Sequence, residues 1–176
     1  MKNKTCPITN TDASEVSHGC MNCLIRKLSL FEGLDLEQLH MLNSLRSDVL
    51  FGSDEVIYRQ GLKPIGLLCL SSGKVKIVKN NINGSELIVT LKRPGDFLGF
   101  YDLMREDVHA SSAIALEEST ICVIPEQIFR DVLRSSLSLS LKINKFLADE
   151  LIKSGQRTAA LTQKYMRARL ADALLY

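Results

Sequence analysis

Short runs of β-forming residues, separated by glycines, fill the middle of the sequence and constrain its fold more than any other feature. The runs cover residues 55–58, 67–70, 74–78, 86–91, 113–116 and 120–124. Glycines punctuate the same region at spacings close to 9–12 residues: Gly52, Gly61, Gly73, Gly84 and Gly95. Regular short strands with turn residues between them predict an antiparallel sandwich or barrel.

Local signals predict a helix before this region and a hairpin inside it. Asp35 and Gln38 have the spacing of a capping box, in which each side chain accepts a hydrogen bond from the other residue's backbone N–H. Leucines recur every three residues from 36 to 45, which is typical of the apolar face of a short helix. Residues 80–84 read Asn-Asn-Ile-Asn-Gly and predict a hairpin turn, because Asn and Gly tolerate positive φ.

The hydrophobic period becomes helical after the last β-rich run. Residues 126–134 predict a short helix with Pro125 in its first turn, where a missing N–H is harmless. A longer helix is expected from residue 137 to residue 165 or beyond, because this stretch contains no proline and only Gly155 interrupts it.

Composition excludes several classes of function. The chain has 176 residues, 45% of them hydrophobic, and a net charge of +2, so it can bury a core but carries no basic footprint for nucleic acid or an anionic membrane. Its apolar runs are far shorter than the ~20 residues of a membrane span, and residues 1–10 lack the apolar core of a signal peptide. We therefore expect a cytoplasmic protein, in which five cysteines are reduced, metal-bound or redox-active.

Two motifs in the β-rich region carry a resemblance to a known family. Gly61 is followed by an apolar strand at 65–70 and by Gly73-Lys-Val75, and Pro94-Gly-Asp-Phe-Leu-Gly99 comes later in the same order. This pattern resembles the sensor region of Crp/Fnr transcription regulators. The resemblance implies a mainly β fold with α, in which an antiparallel, jelly-roll-like β-roll of the cyclic-nucleotide-binding type precedes a long dimerisation helix. It further implies an arm at 1–29, the roll at 30–135, and the long helix and start of the hinge at 136–176.

The nucleotide cassette that the resemblance implies is degenerate. Cyclic-AMP-binding members follow the cassette glycine, here Gly99, with a glutamate for the ribose, and they place an arginine and a serine on the phosphate. Here Phe100 replaces the acid, and His109 and Ala110 stand at the arginine and serine positions. A buried phosphate without its arginine is under-compensated, so cyclic AMP binding is not expected. Phe100 and Tyr101 are expected to be core residues, with Phe100 filling the ribose volume, as in the Fnr branch.

The cysteines leave three alternatives open. Oxygen-sensing Fnr proteins hold an iron–sulfur cluster with a C-x-x-C pair, a third cysteine about six residues later and a fourth on a late strand. Cys20, Cys23 and Cys122 match three of these positions, but Ser29 stands near the third, which leaves Cys6 as the spare thiol.

In the second alternative, Cys6, His18, Cys20 and Cys23 hold zinc. In the third, Cys20 and Cys23 are a relic or redox pair. Cys69 and Cys122 are then small core residues on apolar strands.

The long helix carries a stripe with the 4,3 spacing of a coiled-coil seam. Its members are Leu147, Leu151, Ser154, Thr158, Leu161, Tyr165 and Ala168. Such a narrow stripe predicts a homodimer, and its small polar centre predicts a marginal interface that a signal could bias. A second stripe that includes Ile152 and Ala159 could pack on the roll.

The expected function is that of a sensor and dimerisation region of a DNA-binding regulator, answering a small-molecule or redox signal other than cyclic AMP. No helix-turn-helix follows the long helix, so DNA and RNA polymerase are expected partners only through a missing C-terminal domain. The chain is then a fragment or a truncated gene product. Alternatives are a stand-alone roll that forms mixed dimers and a metal-dependent cupin-like enzyme. The enzyme reading is disfavoured because the three histidines form no H-x-H pair.

Overall fold

Two four-stranded antiparallel sheets face each other, and helices cover the outer side of one of them. The computed structural model describes Phe31 and residues 34–80 and 85–163, with side-chain surroundings given as far as residue 159. The elements, in chain order, are α1 (Leu36–Ser44), β1 (Ser47–Phe51), β2 (Val56–Tyr58), β3 (Gly66–Ser72), β4 (Val75–Asn80), β5 (Glu86–Lys92), β6 (Phe97–Leu98), α2 (Phe100–Arg105), β7 (Ser112–Ala115), β8 (Ser119–Pro125), α3 (Glu126–Ser135) and α4 (Leu137–Gln163).

The strand order places sequence-distant strands side by side. Sheet I has the order β1-β8-β3-β6, and sheet II has the order β2-β7-β4-β5. Every described pairing is antiparallel. The strands therefore wind as a β-roll, and the predicted fold class of a roll followed by a long helix is confirmed.

Strand β3 of sheet I is buried on both of its faces, because successive side chains of a strand point to opposite sides and both sides are covered. Leu68 and Leu70 of β3 enter the inter-sheet core together with residues of sheet II such as Val75 and Ile77. Leu67 of the same strand enters a second core beneath the helices. This helix-side core consists of Phe31, Leu34, Leu39, Leu42, Leu67, Phe97, Phe100, Leu103, Ile124, Phe129, Val132, Leu139 and Ile143.

The local predictions agree with the structure in most places. Asp35 caps α1, with its side chain accepting from the Gln38 N–H and the Gln38 side chain accepting from the Asp35 N–H, as the capping box requires. All six predicted strands exist, with ends shifted by at most two residues. The hairpin predicted at 80–84 lies mostly outside the described residues, although β4 and β5 pair on either side of it.

Some elements were missed or displaced. The short strands β1 and β6 and the one-and-a-half-turn helix α2 carry too few residues for a recognisable period. Pro125 is the last residue of β8 and the N-cap position of α3 rather than a residue of its first turn. Ile152 and Ala159 are exposed, so the described part of the second stripe does not pack on the roll, and its third member, Met166, lies outside the described residues. The face of α4 that packs on the roll carries Leu139 and Ile143.

Candidate functional site: the closed cassette and the cysteine row

Helix α2 begins where the cassette glycine brings two segments into close contact. Gly99, the N-cap residue of α2, has φ +62, a conformation that side chains disfavour. A Cβ at this position would lie 2.5 Å from Cε1 of His109. Glycine is therefore required here both by the backbone angle and by the imidazole that lies against it.

A buried carboxylate occupies the cassette from within. Asp102 of α2 accepts a hydrogen bond of 3.2 Å from the Ala110 N–H, and its Oδ2 lies 3.4 Å from Nδ1 of His109. Asp102 and His109 are both buried. The imidazole stacks on the ring of Tyr58 at a centroid distance of 3.9 Å, with 15° between the planes. Two groups at the expected phosphate position, the His109 ring and the Ala110 N–H, are thus directed to an internal anion.

Burial favours the neutral forms of His109 and Tyr58. Desolvation lowers the pKa of His109 below its ordinary value of 6.5, and the nearby Asp102 opposes that shift only in part. Burial likewise raises the pKa of Tyr58 to about 12. Neutral imidazole and phenol are thus the favoured forms near pH 7. The histidine does not supply the fixed positive charge that an arginine would place beside a phosphate.

The two aromatic residues of the cassette differ in burial. Phe100 belongs to the helix-side core, where its ring lies 5.5 Å from Phe97 and 5.7 Å from Phe146. The expected core role is therefore confirmed for Phe100. It is wrong for Tyr101, which is 42% exposed, stacks on Phe146 and donates a 3.0 Å hydrogen bond to Glu150 of α4.

A row of four residues crosses the outer face of sheet I. In the register of the sheet, Asp48 of β1 is opposite Cys122 of β8, Cys122 is opposite Cys69 of β3, and Cys69 is opposite Phe97 of β6. Both cysteines pack against the helix-side core, so both thiols point to the same face. They form no disulfide. We call this arrangement the cysteine row.

A guanidinium contacts one end of the cysteine row. Nε of Arg46 donates a 3.0 Å hydrogen bond to Sγ of Cys122, and the same guanidinium forms an ion pair with Asp48. Burial by itself lowers the pKa of Arg46, but its bonds to Asp48 and Cys122 outweigh that effect and hold it above its ordinary value. At the other end of the row, Phe31 packs edge-on against Phe97 at 5.7 Å.

The other predicted cysteine ligands, Cys6, Cys20 and Cys23, lie outside the described residues, as does His18. Among the described side chains, no group of three or more His, Cys, Asp and Glu could hold a metal ion. In the same part of the chain no helix is long and apolar enough to cross a membrane.

The predicted seam of the long helix is described only in its first half. Leu147 is half-buried against the helix-side core, whereas Leu151 is 75% exposed and Ser154 and Thr158 are exposed as well. Side chains of Leu161 and Tyr165 lie outside the described set. Dimerisation through this stripe stays a prediction.

Sequence reasoning missed three residues of the site. Asp102 and Tyr58 were not singled out, although an acid three residues after the cassette glycine was a usable signal. Arg46 carried no signal, because its contact with Cys122 joins residues 76 positions apart.

Comparison with known proteins shows the family to which this chain belongs. A family model described as cyclic nucleotide-binding domain matches residues 49–136. An anaerobic regulatory protein of Aggregatibacter actinomycetemcomitans is 29% identical over 158 residues, which are 89% of this chain and 61% of that protein. The fumarate and nitrate reduction regulatory protein of Vibrio cholerae is 28% identical over 160 residues, 89% of this chain and 62% of that protein. The chain thus spans about three fifths of these relatives.

Solved structures share the fold. The sensor domain of the transcriptional regulator DNR from Pseudomonas aeruginosa superposes with a TM-score of 0.70 at 20% identity, covering 80% of this chain and 95% of that domain. The catabolite activator protein of Thermus thermophilus gives 0.65 at 24% identity, covering 76% of this chain and 62% of that one.

Proposed function

Because this chain belongs to the cyclic nucleotide-binding domain family and, within it, to the Crp/Fnr regulators, we propose that it senses a redox signal rather than a cyclic nucleotide. It is the sensor and dimerisation region of a DNA-binding transcription regulator and is not an enzyme. Two of its relatives are named for anaerobic regulation and for fumarate and nitrate reduction, which supports a signal of this class.

The cassette around Gly99, Asp102 and His109 is already occupied by its own side chains, and this is the main argument against nucleotide binding. The Asp102 carboxylate already accepts from the Ala110 N–H and lies beside His109, so a phosphate would meet a negative charge where it needs donors. Two anions in one low-dielectric site repel each other strongly. The arginine that would offset both charges is absent at position 109.

Calorimetric titration tests the nucleotide half of the proposal. We expect no measurable heat of binding from cyclic AMP or cyclic GMP at concentrations that saturate a cyclic-AMP-binding homologue under the same conditions. The homologue serves as the positive control. Micromolar binding to this chain would contradict the proposal.

The cysteines support the part of the proposal that concerns a redox signal. Cys122 and Cys69 present two sulfur donors on one face of sheet I, and a guanidinium donates to one of them. Iron–sulfur clusters take thiolate ligands, and hydrogen bonds to the sulfurs tune their potential, so the Arg46–Cys122 hydrogen bond is compatible with Cys122 as one ligand of a cluster. A bound cluster would supply a centre sensitive to oxygen and to redox potential. Cys122, with Cys20, Cys23 and Cys6 as the fourth ligand, would hold it.

Visible absorption and metal analysis of anaerobically purified protein test this half. We expect brown protein that contains iron and acid-labile sulfide and bleaches in air. Colourless protein with one equivalent of zinc would support the site formed by Cys6, His18, Cys20 and Cys23 instead. Colourless protein without metal, after reconstitution with iron and sulfide has also failed, would leave Cys20 and Cys23 as a relic or a simple thiol pair.

The remaining properties follow from the family. The chain acts in the cytoplasm as a homodimer formed by α4, and its partners as part of a transcription regulator are DNA and RNA polymerase. Exposure of Leu151, Ser154 and Thr158 supports a seam that a second copy covers.

A further inference from the structure

We propose that Cys69 and Cys122 form a reversible disulfide when a peroxide oxidises this chain, so that sheet I carries a redox site that needs no metal. The proposal goes beyond a cluster, because it involves only two side chains of sheet I. It gives these cysteines a chemical role in addition to their packing against the helix-side core.

Strand register places the two thiols side by side. Cys69 of β3 is directly opposite Cys122 of β8, and both side chains pack against the helix-side core, so both point to the same face of sheet I. The two strands are central in the sheet, between β1 and β6. The ladder therefore fixes both Cα positions, and joining the sulfurs requires side-chain rotation rather than the ordering of a distant segment.

The type of strand pairing brings the two residues within disulfide range. The Leu70 N–H donates to Asp96 and its carbonyl accepts from Gly95, so both backbone groups of Leu70 face the β6 side. Those of its neighbour Cys69 therefore face β8, which makes Cys69 and Cys122 a hydrogen-bonded pair with Cα atoms about 5.5 Å apart. This spacing lies inside the range of roughly 4.4–6.8 Å that disulfides span.

The same pairing makes the disulfide easy to reduce. Cβ atoms of directly opposite residues lie about 4.5–5.5 Å apart and are widest in hydrogen-bonded pairs, whereas a relaxed disulfide holds them about 3.5–4.5 Å apart. The bond therefore forms only when the two strands are drawn slightly together, and this strain favours its reduction. Strained disulfides are the labile, regulatory ones, so the pair suits a bond that is made and broken rather than a permanent crosslink.

An oxidant can reach these sulfurs, and a donor lies beside one of them. Cys69 and Cys122 are both half-buried, whereas Leu67 on the same face is 1% exposed. Nε of Arg46 lies 3.0 Å from Sγ of Cys122, and the ion pair with Asp48 holds the guanidinium in place. An oxygen atom added to this sulfur would have a charged N–H donor next to it, which stabilises the oxidised intermediate.

The oxidation consists of two balanced steps. Sγ of Cys122 bonds to one peroxide oxygen as the O–O bond breaks, which gives a sulfenic acid and releases one water. Sγ of Cys69 then bonds to Sγ of Cys122 and displaces the sulfenic oxygen, which leaves as a second water with the thiol proton of Cys69. Each sulfur loses one electron, and the peroxide is reduced to two waters. The oxidised pair would also withdraw Cys122 from any cluster, because thiolates are the ligands of iron–sulfur clusters.

Peptide mapping of the oxidised full chain tests the proposal. The reduced, chelator-treated chain is exposed to equimolar hydrogen peroxide, remaining thiols are alkylated, and tryptic peptides are weighed by mass spectrometry. Cys69 and Cys122 fall on separate peptides, 60–74 and 106–130, since trypsin does not cut the Lys-Pro bond inside the first one. The other three cysteines share the peptide 5–26. We expect a linked species of the first two peptides, which dithiothreitol separates again.

A matched variant moves one thiol along the strand. Cys69→Ser combined with Ser71→Cys keeps the number of cysteines, but residue 71 has no directly opposite partner, because the β3–β8 register shifts between Leu70 and Ser72. Diagonal neighbours across two strands are about 7–8 Å apart, so linkage to Cys122 should fall about tenfold or more. Serine and cysteine are similar in size and both positions are half-buried, so the melting temperature of the reduced variant should stay within a few degrees of the parent.

Trapping the intermediate provides a second, independent measurement. In Cys69→Ser the second step is blocked, so the sulfenic acid of Cys122 should accumulate and be captured by dimedone on peptide 106–130. The parent should show much less of this adduct, because Cys69 consumes the intermediate. A cysteine that only fills the core would leave the yield of adduct unchanged, and that result would overturn the proposal.

The remaining outcomes separate this proposal from the cluster function. Sulfenic or sulfinic acid on Cys122 of the parent without a linked peptide would overturn the disulfide, and so would equal linkage in the shifted variant. Both results leave the cluster standing if the unoxidised chain takes up iron. A reversible Cys69–Cys122 link in a chain that never takes up iron would support the disulfide and reject the cluster.

Discussion

The hydroxyl of Tyr101 donates a 3.0 Å hydrogen bond to Oε2 of Glu150, and this bond joins the cassette helix α2 to the long helix α4. The phenol also stacks on Phe146, one helical turn earlier. Hydrogen bonds from Lys153 and then Tyr101 lower the pKa of Glu150, so its carboxylate stays charged near neutral pH. A change in the cassette can therefore alter how the first half of α4 is held.

Removing this hydroxyl should loosen α4 while the roll stays intact. We expect Tyr101→Phe to lower the free energy of unfolding by up to about 1 kcal/mol, because one partly solvated hydrogen bond is lost and the ring stacking stays. Hydrogen exchange should rise in the middle of α4 and stay unchanged in sheet II. Glu150→Gln is the matched control, since its amide oxygen can still accept from the phenol. If both variants raise hydrogen exchange in α4 equally, the effect would be assigned to the charge of Glu150 instead of to the hydrogen bond.

Acid should destabilise the protein through His109. The pKa of His109 in the folded state is below its ordinary value of 6.5, so between these two values the unfolded chain binds more protons. Its contribution to stability is therefore fully present above pH 6.5 and is lost as the pH falls below that value. Urea midpoints measured between about pH 5 and 8 should fall toward acid, and His109→Gln should flatten that slope. His40→Gln, an exposed change on α1, is the matched control variant, measured over the same pH range.

Replacing glycine by alanine should change stability in opposite directions at positions 99 and 155. Gly99→Ala should destabilise the fold by about 1–3 kcal/mol or more, because φ is +62 and the new Cβ meets His109. Gly155→Ala should stabilise it by about 0.5–1 kcal/mol, because this site is an exposed helical position with nothing within 4 Å. Chemical denaturation measures both. A tolerated Gly99→Ala would mean that the imidazole can move away and that the cassette is looser than described.

Formation of the homodimer should depend on the stripe of α4 that has 4,3 spacing and includes Leu151 and Leu161. Leu151→Ala and Leu161→Ala should weaken the dimer, because both subunits lose apolar burial, and core truncations typically cost about 2–5 kcal/mol. Ser154→Ile should strengthen association by adding apolar area to the seam. Ile152→Ala is the control, since Ile152 is 60% exposed on the same helix but lies outside the 4,3 stripe.

Sedimentation equilibrium decides this prediction. A parent chain that is monomeric at tens of micromolar would contradict it. Leu147 is unsuitable for the test, because it packs against the roll and its truncation would destabilise each protomer as well.

Local sequence signals were reliable where the interaction that they describe is itself local. The capping box needs only Asp35 and Gln38, three positions apart, and both of its hydrogen bonds form. Strand alternation shows the limit of such signals. Within the predicted strand at 74–78, the neighbours Ile77 and Val78 are both buried, because the β4–β5 register shifts between them.

The β-roll also came from the sequence, but only through a resemblance. Gly73-Lys-Val75 and Pro94-Gly-Asp-Phe-Leu-Gly99 matched the family pattern, and the β-roll followed from it. Periodicity alone indicated a sandwich or barrel. It could not choose between them, since hydrophobic alternation reports which face of a strand is buried and not which strand lies beside it.

The sequence by itself determined the fold class, the degenerate cassette and the cysteines available for ligation. Only the tertiary structure directed Asp102 to His109 and Ala110, or placed Cys69 opposite Cys122, 53 positions away. The physical reason is that the Asp102 contacts depend on how the loop after α2 folds back on that helix, and that the Cys69–Cys122 contact depends on the register of sequence-distant strands. That register is decided by the burial of the whole inter-sheet and helix-side cores, and no short stretch of residues encodes it.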